Sequence, residues 1–155
     1  MTDLAAAVIS ALQGKTLATA ESCTGGGIGA ALTGVSGSSA VFKGGIISYT
    51  NEIKENLLGV PQEILVSKGA VSAEVAQTMA IGARETIKAD AAVSVTGLAG
   101  PGGDEYGNPV GTVYIGYADK AQVLSREFHF SGDREAVRNQ AIAAALALIL
   151  EQNRT

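Results

Sequence analysis

Two segments constrain the fold more than any others: residues 16–21 and residues 91–96. Each is a short, almost uncharged run that leads into glycines. Ser22-Cys23-Thr24 and Gly25-Gly26-Gly27 follow the first; Gly97-Leu98-Ala99-Gly100-Pro101-Gly102-Gly103 follows the second. Apolar runs of this length, bounded by turn residues, predict strands buried in a sheet. A third, mostly buried strand is expected over 44–50, and a hairpin over 112–118 and 122–130, turning around Ala118-Asp119-Lys120. Helices are expected between them. One covers 4–13 and is stopped by Gly14; another covers 25–32, where small residues allow close packing on a sheet; a third covers 51–58, stopped by Gly59 and Pro61. Ser72 caps a long helix reaching about Lys88, with Glu74 in its first turn, and the last helix covers 133–152. Strands alternating with helices predict a layered α/β domain with a mainly parallel sheet, which the late hairpin makes mixed.

Composition narrows the function classes. With 155 residues, 46% hydrophobic and only 17% charged, the chain can bury a core and is expected to form one domain over 1–155. A net charge of −4 and a pI near 4.9 give no field that attracts nucleic acid or an anionic membrane. The single Cys23 permits no internal disulfide and suits a reducing cytoplasm. With one cysteine and one histidine, no metal site is expected. The start, Met1-Thr2-Asp3-Leu4, lacks the basic opening of a secretory signal, and the longest apolar run, 141–150, is too short to cross a bilayer. That run is apolar nearly all round, so it is expected to be buried within the domain or at a subunit contact; a homo-oligomer is expected.

In α/β sheets ligands bind beyond the carboxyl ends of strands. Three chemically rich segments leave strands there: those starting at Ser22, Tyr49 and Thr96. Ser22 and Cys23 compete as nucleophile, and the N–H groups of the turn that follows suit an oxyanion. The turn is neither a hydrolase elbow nor a phosphate loop, since the spacing of both motifs is missing. A serine needs a base. His129 lies in Glu127-Phe128-His129-Phe130, where alternation turns it away from both phenylalanines, to solvent. Lys54 is the other candidate. With Asn51 as cap it sits at the third helical position, where a cation opposes the helix dipole; that field and burial lower its pKa. Tyr49 is a candidate to orient Lys54 or relay its proton, with Ser48 facing the other side of the strand. Candidate substrate contacts are Cys23, Thr24, Gly25 and Gly26 in the turn and Thr96, Gly97 and Gly100 in the second glycine loop, whose N–H groups can form an anion nest. Arg134 and Arg138, one turn apart at the start of the last helix, are candidate phosphate ligands. Together these outline acyl transfer on a small phosphorylated substrate.

Seven segments in order carry a family resemblance: Ala20-Glu21-Ser22-Cys23-Thr24-Gly25-Gly26, Gly37-Ser38-Ser39 to Phe42, Tyr49-Thr50-Asn51-Glu52-Ile53-Lys54, Gly69-Ala70-Val71-Ser72, Thr96-Gly97-Leu98-Ala99-Gly100-Pro101, Pro109-Val110-Gly111-Thr112-Val113 and Ser131-Gly132-Asp133-Arg134. With them the chain resembles the CinA (competence/damage-inducible) C-terminal domain family, the nicotinamide mononucleotide amidohydrolases. The resemblance implies a three-layer α/β/α fold with a mixed sheet. It implies hydrolysis of the nicotinamide mononucleotide amide to nicotinic acid mononucleotide and ammonia, in pyridine nucleotide recycling. No metal or organic cofactor is implied. Many members carry an N-terminal molybdopterin-binding-like domain, which this sequence does not include. Carried over by residue, Ser22 is the implied nucleophile, Lys54 the general base and Tyr49 its partner. The alternative is a non-catalytic phosphonucleotide-binding regulatory module, and a weaker one is a serine-lysine peptidase.

Overall fold

A computed structural model describes residues 1–154. Its element order is α1 (Thr2–Ala11), β1 (Leu17–Glu21), α2 (Gly27–Thr33), β2 (Phe42–Ile47), α3 (Asn51–Leu58), α4 (Gln62–Lys68), α5 (Ala73–Ile87), β3 (Ala91–Gly97), β4 (Thr112–Asp119), β5 (Val123–His129) and α6 (Arg134–Gln152), with one 3-10 turn at Ser38–Ala40. The five strands form one sheet in the order β2-β1-β3-β4-β5. β1 pairs in parallel with β2 and β3, while β3–β4 and β4–β5 are antiparallel. The pairings are thus evenly divided, yet β4 alone runs against the other four strands.

Alternation along the strands builds two cores. Leu17, Val93, Val95, Val113, Ile115 and Tyr117 face one side and pack on α1, α2 and α6. Ala18, Ala20 and Ala92 face the other and pack on Leu58, Leu65, Val75, Met79 and Ala83 of α3, α4 and α5. The domain is therefore a three-layer α/β/α sandwich. On the α5 side the sheet carries small residues, so the helix lies almost on the backbone: Ser94 Oγ donates to the Ala76 carbonyl at 2.5 Å, and a Cβ on Gly116 would stand 2.3 Å from that same oxygen. On the other side α6 buries Val137, Ala141, Ile142, Ala145, Leu146, Leu148 and Ile149 within the chain, so its apolar character is used inside the domain.

Three expectations need correction. The third strand spans Phe42–Ile47 rather than 44–50. Its ladder begins where Phe42 pairs with Leu17 and ends when Ser48 N–H reaches the Glu21 carbonyl, after which the chain leaves for α3. As a sheet edge it alternates half-buried with exposed positions and is not mostly buried. The residue at the start of α3 that caps it is Thr50, whose hydroxyl accepts from Ile53 N–H, and so Lys54 occupies the fourth helical position. Gly25 and Gly26 precede α2 in left-handed conformations (φ 60° and 100°), which only glycine adopts without strain. Helix α4, begun at Pro61, was not expected from the sequence. Ser72 caps α5 through its side chain, as the sequence leads one to expect, and Asp133, expected as the first residue of the last helix, is the side-chain cap of α6.

Candidate active site

β1, β2 and β3 are mutually parallel and end at one edge, with Glu21 paired to Ile47 on one side and Val95 on the other. The segments that follow them converge on a cavity of about 340 Å³. Ser22, Cys23, Tyr49, Asn51, Lys54, Thr96, Gly97 and Arg134 contribute to its wall, with Ala70, Val71 and the loop Leu98-Ala99-Gly100 plus Gly102 closing it.

At its floor Lys54, only 1% exposed, donates from Nζ to Ser22 Oγ at 3.0 Å. Its other bonds go to the carbonyls of Ser48 (2.8 Å) and Tyr49 (3.4 Å). No carboxylate lies within 4.0 Å of it among the described residues. A cation without a counterion in a dry site is disfavoured, so burial pulls the ammonium down to a pKa of about 8. Ser22, like Lys54, is buried, and its N–H is held by the Val95 carbonyl. Cys23 is the neighbouring alternative, but its thiol joins the apolar core under α6, and burial pushes its pKa up to about 11. It is a poor thiolate at neutral pH.

The turn after Ser22 is braced from two directions. Glu21, buried at the end of β1, accepts from Thr24 Oγ1 (2.7 Å), Ile28 N–H (2.8 Å) and Gly29 N–H (3.0 Å). Arg138 donates to the carbonyls of Cys23 (3.0 Å) and Thr24 (3.2 Å). Gly25 and Gly27 N–H groups close onto the carbonyls of Ser22 and Thr24, whereas those of Cys23 and Thr24 make no backbone hydrogen bond.

Of the residues expected to contact substrate, Ser22, Cys23, Tyr49, Lys54, Thr96, Gly97, Gly100 and Arg134 come together. Thr24, Gly25, Gly26 and Arg138 lie behind the turn as its scaffold, outside the cavity wall. Thr96 is buried and donates to the Ala70 carbonyl at 2.8 Å, tying the glycine loop to the start of α5. The Tyr49 ring is exposed and its hydroxyl accepts from Arg134 Nη2 at 3.0 Å, so what Tyr49 offers Lys54 is its backbone carbonyl. Arg134 also donates from Nη1 to the Gly100 carbonyl, bridging the two walls of the mouth. His129 is exposed and bonds Glu127 on its own strand, away from the site. Among the described residues no three His, Cys, Asp or Glu side chains cluster as a metal site requires, and no helix is long and apolar enough to cross a membrane.

Sequence reasoning missed Glu21 and the lining residues Asn51, Ala70 and Val71. Glu21 carried a signal: a carboxylate ending a buried strand just before a helix start has those free N–H groups as natural partners.

Fold and site together define a three-layer α/β protein with a serine–lysine pair at the carboxyl ends of its parallel strands. The CinA C-terminal domain model matches residues 1–153, and the chain belongs to that family. It is 50% identical over 144 residues to a CinA-like protein of Geobacter sulfurreducens, covering 93% of this chain but 35% of that protein, so the chain spans about a third of that relative. It is 47% identical over 141 residues to the nicotinamide-nucleotide amidohydrolase PncC of Escherichia coli K12, covering 90% of this chain and 86% of the relative. Among solved structures, a competence/damage inducible protein of Agrobacterium tumefaciens superposes with a TM-score of 0.95 at 40% identity, covering 99% of this chain and 95% of that one.

Proposed function

We propose that the chain hydrolyses the carboxamide of nicotinamide mononucleotide through Ser22 and Lys54. The observation that carries the reading is the 3.0 Å bond from an uncompensated, buried lysine to a serine on the cavity floor. The likeness in sequence and length to PncC, a protein named for this activity, supports the substrate.

Neutral Lys54 takes the proton from Ser22 Oγ, which attacks the carboxamide carbon. The oxyanion is held by the N–H group of Cys23, which lines the cavity and which no carbonyl among the described residues engages. As the C–N bond breaks, Lys54 returns the proton to the leaving nitrogen and ammonia departs. Water, deprotonated by Lys54, cleaves the acyl–serine ester and releases nicotinic acid mononucleotide. Arg134, held by the Gly100 carbonyl and the Tyr49 hydroxyl at the mouth, takes the 5′-phosphate with its remaining N–H groups. Tyr49 positions that guanidinium. The wall comes from one chain, so the reading stands whether or not the chain self-associates; light scattering reads that separately.

Incubation with nicotinamide mononucleotide should release ammonia and the acid product in equal amounts. Ser22→Ala should abolish release with the circular dichroism spectrum unchanged, and Cys23→Ala should retain it. Tight binding without turnover by the unmodified chain would instead identify a regulatory module.

A further inference from the structure

A second cavity, of about 310 Å³, lies at the other end of the sheet. Lys15, Arg84, Asp90, Ala91, Tyr117 and Asp119 line it, with Lys120, Ala121 and Asn153 at its rim. Ala91 opens β3, and Thr96 and Gly97, on the serine–lysine cavity, close it. At about 3.3 Å per residue the two cavities are roughly 20 Å apart along that strand.

The cavity holds three cations and two carboxylates, and the two groups differ in how they are satisfied. Asp119 accepts from Ala121 N–H (2.8 Å), Gln122 N–H (3.0 Å) and the Tyr117 hydroxyl (3.1 Å). Asp90 accepts from both the N–H (2.8 Å) and the hydroxyl (3.2 Å) of Thr16. Both carboxylates are thus hydrogen-bonded by neutral donors of the fold, and Arg84 and Lys15 act on Asp90 only through space. The cations are not ion-paired: among the described residues no carboxylate lies within 4.0 Å of Lys15, Lys120 or Arg84. Among the described residues Arg84 spends only Nε, on the Asp90 carbonyl at 2.9 Å, which leaves both terminal nitrogens without a hydrogen-bond acceptor. The walls are pinned by the reciprocal Thr16–Asp90 bonds and by Asn153, which donates to the Tyr117 hydroxyl at 3.1 Å.

We propose that this cavity is a second binding site, for a small molecule bearing a phosphate group, separate from the serine–lysine cavity. One guanidinium with two unspent terminal nitrogens and two flexible ammonium groups line the same concave surface, the donor set that multidentate oxyanion binding needs. The proposal does not rest on the amidohydrolase reading.

The test is a titration of ¹⁵N-labelled protein with inorganic phosphate and with pyrophosphate at constant ionic strength. Saturable shifts are expected at the amides of Lys15, Ala91, Lys120, Ala121 and Asn153. They should persist in Arg134→Gln and weaken at least tenfold in the Lys15→Ala/Lys120→Ala double variant. Both lysines are exposed, so that variant should fold normally. Shifts confined to the amides around Arg134 and Gly100 would overturn the proposal, as would binding at the far cavity that survives loss of both lysines.

Discussion

On the proposed reading Lys54 links catalysis and stability through one titration, and the two can be read independently. Burial moves its pKa from an ordinary 10.5 to about 8. At pH 7 about a tenth of the side chain is then neutral, roughly 300-fold more than an ordinary lysine provides. The same depression means that the charged form is disfavoured in the folded state. The penalty is fully present below pH 8 and disappears as pH rises from 8 to 10.5, because there the unfolded chain binds the proton and the folded chain does not. At about 1.4 kcal/mol per pH unit, it amounts to about 3 kcal/mol. Lys54→Met removes the titration; it also leaves the buried Ser48 carbonyl without its donor, which costs about 1–3 kcal/mol at every pH. The difference in unfolding free energy between the two proteins, measured by urea denaturation from pH 6 to 10.5, should therefore be flat up to about pH 8. Above it the unmodified protein should gain about 3 kcal/mol on the variant. In parallel, kcat/KM of the unmodified protein should rise with pH, reach half its plateau near pH 8 and level off above it. A pH-independent stability difference, or an activity midpoint that does not fall at the pH where the stability gain sets in, would refute the assignment of Lys54 as a base made neutral by burial.

Two further perturbations test the framework around it. Glu21→Gln sets an amide N–H₂ against one of the donors that the carboxylate now accepts, and should cost about 1–3 kcal/mol with a loss of turnover through the displaced turn, read by thermal denaturation and kcat together. Gly82→Ala should lower Tm sharply despite the better helix propensity of alanine, because its Cβ would stand 1.9 Å from the Leu58 carbonyl and pry α5 from α3. An unchanged Tm would show that the two helices part freely.

The layers and most of the site were legible in local patterns. Strand–helix alternation, the Ser72 cap and the β4–β5 hairpin are short-range features, and each formed as its residues predict. What was not legible depended on contacts distant in sequence. Thr50 and Asn51 are both competent caps, and the choice was made by where β2 leaves its ladder against Glu21. Arg134 and Arg138 share a helix face and look equivalent, yet one reaches Gly100 and Tyr49 across the mouth while the other reaches the carbonyls behind the turn. The sequence marks Lys54 by its awkward helical position, but only the 32-residue return of the chain sets it against Ser22.

The carboxylate of Glu21 has a consequence for anyone who would alter what this protein accepts. A glycine turn leading into a helix looks like an anchorage for a ligand's phosphate. Here the anion that fills the helix start is part of the chain itself, and it occupies the N–H groups of Ile28 and Gly29 before any ligand arrives. Redesign of the turn's glycines would therefore unsettle the support of Ser22 without freeing those N–H groups for a ligand's charge. On the proposed reading that charge is met at Arg134 and its two tethers, which stand apart from the turn that supports Ser22, so binding preference and chemistry can be varied separately.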